Sequence, residues 1–130
     1  MINYPSVEDI ITINQKVIKD TVAKKSDKHQ ILSRSKIEKV LVTVEGDKGD
    51  IYDKAIDLLK GLIQAHPFAS GNRRTAFAVC QNFLLANGKE SKVKEDFDVY
   101  ILQGIREDYY TKEATKHWLK TGEIDEFKRR

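Results

Sequence analysis

The sequence predicts an all-α fold, a compact bundle of helices around one buried central helix. Residues 51–65 form a strongly amphipathic stretch, and residues 72–87 are apolar on most of the circumference that a helix would present. The chain has 130 residues, enough to bury about two-thirds of its unfolded surface. No internal repeat and no change of composition divides it, so we expect a single domain over residues 1–130.

The N-terminal third contains one well-defined helix and one ambiguous stretch. Ser6 is placed to cap a first helix, because isoleucine and valine residues follow it at helical spacing. The polar residues 24–30 indicate a loop. The first half of residues 31–44 indicates a short helix, whereas the β-branched residues at 40–44 favour extended backbone. Residues 45–50 form a turn-rich cluster.

Four helices are expected in the remainder of the chain, at residues 51–65, 72–87, 97–110 and 112–120. Pro67 ends the first of these, because the residue before a proline is pushed away from helical backbone. Gly88 follows the second, where a glycine is free to adopt the left-handed conformation. In the last helix, Trp118 is expected to face inward.

Charge and hydropathy argue against several classes of function. The formal net charge is +3, from 23 basic and 20 acidic residues, which is too small to indicate nucleic-acid binding by itself. The basic region 19–39 leaves a nucleic-acid binder as a weak alternative, whose affinity would fall steeply with salt. No apolar run approaches the roughly 20 residues of a membrane span. The basic end at residues 128–130 is expected to be a solvated tail.

The cysteine and histidine content suggests no disulfide and no zinc site. The single cysteine, Cys80, cannot form an internal disulfide, and no signal peptide is visible, which together indicate a cytoplasmic protein. Cys80 lies within an apolar helical stretch and is expected to be an inert core residue. His29 and His117 have no partners at the spacing of metal ligands and are expected to be exposed.

The segment between the two strongest helices concentrates residues that suit an anion. A loop leading into a helix N-terminus offers free backbone N–H groups and the positive end of the helix dipole. Gly71 lets a ligand approach the backbone closely. Arg73 and Arg74 stand in the first helical turn, where cations are unfavourable for the dipole but can grip a phosphate. His66 is the loop residue that can act as a base near neutral pH.

Each of these features also has a purely structural interpretation. A His-Pro pair often only ends a helix, and paired arginines are usually surface charge. Their concentration at one helix start favours an anion site over those interpretations. The segment reads His66-Pro67-Phe68-Ala69-Ser70-Gly71-Asn72-Arg73-Arg74.

This segment resembles the signature of the Fic/Doc family. That signature reads His, any residue, Phe, any residue, an acid, Gly or Ala, Asn, Gly or Lys, Arg. The chain matches it at five fixed positions, which are His66, Phe68, Gly71, Asn72 and Arg74. The following Thr75-Ala76 and the helix end at Asn87-Gly88 resemble the short Doc branch. The resemblance therefore covers the whole chain and implies a Fic/Doc-like helical bundle.

The resemblance implies a role for each matched residue. His66 would be the general base that takes a proton from a target hydroxyl, and Phe68 would anchor the loop in the core. Asn72 and Arg74 would hold nucleotide phosphates, helped by the N–H groups of the turn at residues 71–73. Residues 42–50 fall where the family places a short extended flap that docks the target peptide. The implied cofactors are ATP and Mg²⁺.

The chain departs from the family pattern at two positions. Ser70 occupies the position of the acid that binds Mg²⁺, and a neutral hydroxyl is a much weaker ligand for a hard dication. Arg73 stands where the branch that transfers nucleotides has Gly and where the Doc branch has Lys. A long cation there favours transfer of a terminal phosphate over transfer of AMP.

The resemblance to the Doc branch thus implies a toxin that transfers the terminal phosphate of ATP to a Ser or Thr hydroxyl of a target protein. The expected target is a translation elongation factor of the Tu type, and the expected partner is a small antitoxin. AMP transfer to a protein hydroxyl is the enzymatic alternative. A binding module for a nucleotide or a partner, impaired in catalysis by Ser70, is the non-enzymatic alternative.

Overall fold

The computed structural model describes residues 1–20 and 30–128 and is all-helical in those ranges, which confirms the predicted fold class. The helices follow one another in the order α1 Val7–Asp20, α2 Arg34–Gly46, α3 Ile51–Ala65, α4 Asn72–Ala86, α5 Tyr100–Arg106 and α6 Lys112–Thr121. No helix within those ranges is long and apolar enough to cross a membrane. Residues 24–29 of the expected loop, the exposed position of His29 and most of the basic tail lie outside the described residues.

The centre of the bundle is a pair of helices, α3 and α4, that pack along each other. Helix α3 also contacts α2, α5 and α6, and α4 also contacts α1. Both helices bury apolar side chains along most of their length, including Leu58, Leu59, Leu62, Ala76, Val79, Phe83 and Leu84. Trp118 faces inward as predicted, with 1% of its surface exposed, and packs against Phe77 and Phe97. The predicted central helix therefore shares the core with the helix before it.

Residues 40–44 are helical, so the extended interpretation of this stretch is wrong. Of the flap expected at residues 42–50, residues 42–46 belong to α2 and residues 47–50 are non-helical. Helix α2 runs through to Gly46 and ends where the Asp47 N–H bonds to the carbonyls of Thr43 and Val44. Val40 and Val44, one helical turn apart, are both buried in the core. Burial of this face outweighs the β propensity of the residues. The buried ammonium of Lys54 donates to the carbonyl of Val44 and stabilises the helix end.

Helix α5 is shorter than the predicted 97–110 and ends at Arg106. Asp108 adopts left-handed backbone, with φ of 59°, and the Tyr109 N–H bonds back to the Gly104 carbonyl. These contacts close the helix one turn early. The predicted caps at Ser6 and Gly88 are confirmed, since the Asp9 N–H donates to Ser6 Oγ at 3.0 Å and Gly88 has a φ of 74°.

A lysine of α6 ties that helix to a pair of carboxyl groups beside α3. Lys112 Nζ lies 2.7 Å from Asp47 Oδ2 and 3.2 Å from Asp57 Oδ1. The pKa of Asp57 is raised from 3.8 to about 6, mainly by burial and secondly by the hydrogen bond with Asp47. The same pair holds the pKa of Asp47 well below its usual range, through hydrogen bonds with Asp57 and Lys112. A proton taken up by the pair therefore resides on Asp57.

Asp57→Asn is expected to stabilise the protein at pH 7.5 and to lose that advantage as the pH falls toward 4. The folded pKa of Asp57, about 6, exceeds its unfolded value of 3.8. Between these values the folded state binds more protons than the unfolded state, so acidification stabilises the wild type. Asparagine mimics the protonated carboxyl at every pH. Thermal melts of both proteins across this window test the prediction, with Asp96→Asn at an exposed position as the control. A melting difference that stays constant with pH would contradict it.

Candidate active site

The loop between α3 and α4 begins with an abrupt change of backbone direction at His66. His66 caps α3 in the left-handed conformation, with φ of 51° and ψ of 55°, and its N–H still bonds to the Leu62 carbonyl. Because Pro67 follows, His66 is excluded from continuing the helix. The turn leaves the imidazole exposed while Pro67 itself is buried. The helix stop and the candidate base are thus the same residue.

Phe68, for which the family resemblance implies a role as anchor of the loop, is a core residue. Its side chain is 1% exposed and belongs to the hydrophobic core. A short extended segment also pairs with the loop backbone. The Leu32 N–H donates to the Pro67 carbonyl at 2.8 Å, and the Ala69 N–H donates to the Gln30 carbonyl at 2.9 Å. Residues 30–32 therefore pair with the loop backbone, through a bridge between Ile31 and Phe68. Sequence reasoning missed this contact because it is non-local.

Asn72 holds the loop together from within. Its Oδ1 accepts the Phe68 N–H at 3.0 Å, and its Nδ2 donates to the Phe68 carbonyl at 2.8 Å. Because the Phe68 N–H needs an acceptor and the Phe68 carbonyl needs a donor, these two bonds fix the orientation of the Asn72 side-chain amide. The second Nδ2 hydrogen is directed at His66 Nδ1, 3.2 Å away. Both amide hydrogens are used within the loop, so the phosphate contact expected of Asn72 stays a prediction.

The bond from Asn72 determines the tautomer of His66. Because Asn72 is the donor, His66 Nδ1 is the acceptor and carries no proton. The neutral ring therefore holds its hydrogen at Nε2. In the resting protein, Nε2 can donate a hydrogen bond but cannot accept a proton.

We expect ¹⁵N NMR of histidine-labelled protein to show an unprotonated Nδ1 and a protonated Nε2 for neutral His66. Asn72→Asp replaces the donor by an acceptor of the same shape, so His66 should change to the tautomer with its hydrogen on Nδ1. The His66 signals are identified by their loss in His66→Asn. A protonated Nδ1 in the wild type would refute the assignment.

The start of α4 is shaped by Gly71 and by a buried asparagine of α1. Gly71 has a φ of 74°, and a Cβ added there would lie 2.9 Å from Ile18 Cδ1. Asn14 is fully buried and donates to the Ser70 carbonyl and to Thr75 Oγ1, both at 3.0 Å. The left-handed backbone at position 71 therefore favours glycine, and Asn14 ties α1 to the loop. Its place within an apolar helical stripe was the one sequence signal that marked Asn14 as unusual.

A cavity of about 380 Å³ opens at the N-terminus of α4. It brings together all the predicted site residues except the buried anchor Phe68. Helix α5 adds Arg106, which sequence reasoning missed, because a basic residue in a last helical turn usually only complements the dipole. The lining residues are Ile63, His66, Ser70, Gly71, Asn72, Arg73, Arg74, Val99, Leu102 and Arg106. Three guanidinium groups and a helix N-terminus are the kinds of group that bind anions.

Comparison with known proteins agrees with this geometry. The family model described as Fic/DOC family matches residues 4–84, which is more than half of the chain and includes the whole loop. The chain belongs to the Fic/DOC family. It is also similar to Toxin Doc of Mycolicibacterium smegmatis (strain ATCC 700084 / mc(2)155), with 35% identity over 64 residues. That stretch is 49% of this chain and 48% of that protein, so the match spans about half the length of the relative. No solved structure matches.

The residues present do not suit a protein-held Mg²⁺ at the Fic/DOC motif. Ser70 lines the cavity where the motif has an acid, and no Asp or Glu of the described residues lines it. Within residues 1–20 and 30–128 no group of three His, Cys, Asp or Glu side chains is placed to hold a metal. A hard dication prefers anionic oxygen ligands, whereas this Fic/DOC cavity offers a hydroxyl and three cations.

Two other residues considered from the sequence lie outside the Fic/DOC site. Cys80 is fully buried in α4, and burial raises the pKa of its thiol to about 12, which keeps it an unreactive core residue. His117 lies exposed on α6, with Nε2 3.6 Å from Glu123 Oε2. The structure therefore concentrates the chemistry of this chain in the loop and the two helices that frame it.

Proposed function

We propose that this protein is a Doc-like phosphotransferase that moves the terminal phosphate of ATP to a Ser or Thr hydroxyl of a target protein. The observation that carries the proposal is the cavity in which an exposed imidazole faces three arginines at a helix N-terminus. Phosphoryl transfer depends mainly on positioning and on neutralising charge, and this arrangement suits both. ATP would supply the phosphate.

Each lining residue then has a task. The guanidinium groups of Arg73, Arg74 and Arg106 bind phosphate oxygens, and the positive end of the α4 dipole adds to their attraction for the phosphates. His66 takes the proton of the attacking hydroxyl as that oxygen bonds to phosphorus and the bond to ADP breaks. Phe68 and Asn72 keep the loop in shape.

The bond between His66 and Asn72 sets the order of these events. His66 can accept a proton at Nε2 only in the tautomer that carries its hydrogen on Nδ1. That tautomer cannot accept a hydrogen bond from Asn72. Proton transfer to Nε2 therefore requires that this bond is released first.

The choice of phosphate over AMP rests on Arg73, which stands where the Doc branch has Lys. The similarity to Toxin Doc supports a toxin role. The family resemblance implies an antitoxin that restrains it and a translation elongation factor as the target. The loss of the acid at Ser70 supports a second candidate, a nucleotide-binding module without transfer activity.

The test uses ATP labelled at the γ or the α phosphate, incubated with the protein in a cell lysate. Label from γ-ATP on a lysate protein, absent with His66→Asn, supports phosphate transfer. Label from α-ATP alone would replace the proposal by AMP transfer. If the wild type and Ser70→Asp both label nothing while ATP binds, the binding module is the better interpretation.

A further inference from the structure

We infer that the cavity binds the phosphates of a nucleoside triphosphate without a divalent cation, and that Arg106 supplies positive charge that a metal ion would otherwise provide. The inference rests on the proposed function insofar as the ligand is a nucleotide. It goes beyond that function because it assigns a residue outside the family motif and removes the metal requirement for binding.

The first argument is the charge of the lining. Arg73, Arg74 and Arg106 line the cavity, and each carries a cationic guanidinium group. No Asp or Glu of the described residues is among the residues that line the cavity. A metal ion held by protein groups here would meet three positive charges without an anionic ligand. A triphosphate, by contrast, meets three donors of bidentate geometry.

The second argument is that Arg106 is available to a ligand. Within the described residues it forms no ion pair, although the acidic Glu107 is its neighbour in the chain. Glu107 is engaged instead by the amide of Gln103, one turn earlier in α5. The guanidinium of Arg106 is therefore not neutralised by the protein beside it.

The third argument is that Arg106 is carried on a firmly held element. Ile101, Leu102 and Ile105 of α5 are buried in the core, and the Arg106 carbonyl accepts from Gln64 Nε2 of α3 at 3.1 Å. On the outer side, the buried ring of Phe127 packs against Tyr100, with ring centroids 5.0 Å apart. Because α5 is held by contacts on both sides, the position of Arg106 at the cavity is well defined.

The test is equilibrium binding of ATP by isothermal titration calorimetry, in EDTA and in Mg²⁺. We expect affinity in EDTA to equal or exceed that in Mg²⁺, and Arg106→Gln to weaken binding about ten-fold in both buffers. Lys89→Gln is the matched control, because Lys89 follows the opposite end of α4 and should bind like the wild type. Ser70→Asp should make Mg²⁺ strengthen binding, since it adds the missing anionic ligand.

The outcomes separate the two proposals. Binding that is lost in EDTA and restored by Mg²⁺ overturns the metal-free site and leaves the proposed transfer intact. Wild-type affinity in Arg106→Gln, with a circular dichroism spectrum unchanged, overturns the role of Arg106. Absence of ATP binding in both buffers overturns the inference together with the proposed function.

Discussion

Phe68→Ala is expected to lower the free energy of unfolding by about 3–5 kcal/mol, the usual cost of removing a buried phenyl ring. The ring is 1% exposed and sits under the loop that carries His66 and Asn72. Asn72 bonds to both the N–H and the carbonyl of Phe68, so a shift of this residue also displaces the base. Urea unfolding followed by circular dichroism measures the loss.

Two further variants test whether the loss of stability in Phe68→Ala is due to the buried ring. Phe68→Leu fills most of the volume and should cost clearly less than Phe68→Ala. Leu85→Ala removes an apolar side chain that is 66% exposed on α4 and should change stability little. Equal losses in Phe68→Ala and Leu85→Ala would show that the phenyl ring is not the anchor of the loop.

His66→Asn is expected to reduce phosphate transfer by about 10²–10⁴-fold, the usual contribution of a general base. Asparagine is chosen because it tolerates left-handed backbone, and His66 has a φ of 51°. The imidazole is exposed, so its removal should leave the unfolding free energy nearly unchanged. Transfer of label from γ-ATP to the target measures the rate.

His117→Asn is the matched control, because His117 is also exposed but lies on α6, outside the cavity. It should retain the wild-type rate. A His66→Asn protein that folds normally and transfers phosphate at the wild-type rate would remove His66 from the catalytic role. A loss of stability in His66→Asn would instead assign His66 a structural role as the cap of α3.

Helix positions were predicted well where the capping residues and the helical spacing of apolar residues indicate the same helix ends. Helix α3 and helix α4 begin and end within a residue of expectation, and Ser6, Gly88 and Trp118 behave as predicted. The extended interpretation failed at residues 40–44, which are helical because Val40 and Val44, one turn apart, are buried on the core side of α2. Prediction also failed at the end of α5, where Asp108 closes the helix early.

The sequence by itself determined the loop at residues 66–74, because that chemistry depends on residues adjacent in the chain and on a family signature with fixed spacing. Only the tertiary structure decided what surrounds the loop. Asn14, Arg106 and the extended segment at residues 30–32 reach it from distant parts of the chain. The tautomer of His66 was likewise decided by contacts, since two bonds to Phe68 orient the amide of Asn72. Helix formation and capping depend on neighbours in sequence, whereas the charge of a cavity and the state of a proton depend on neighbours in space.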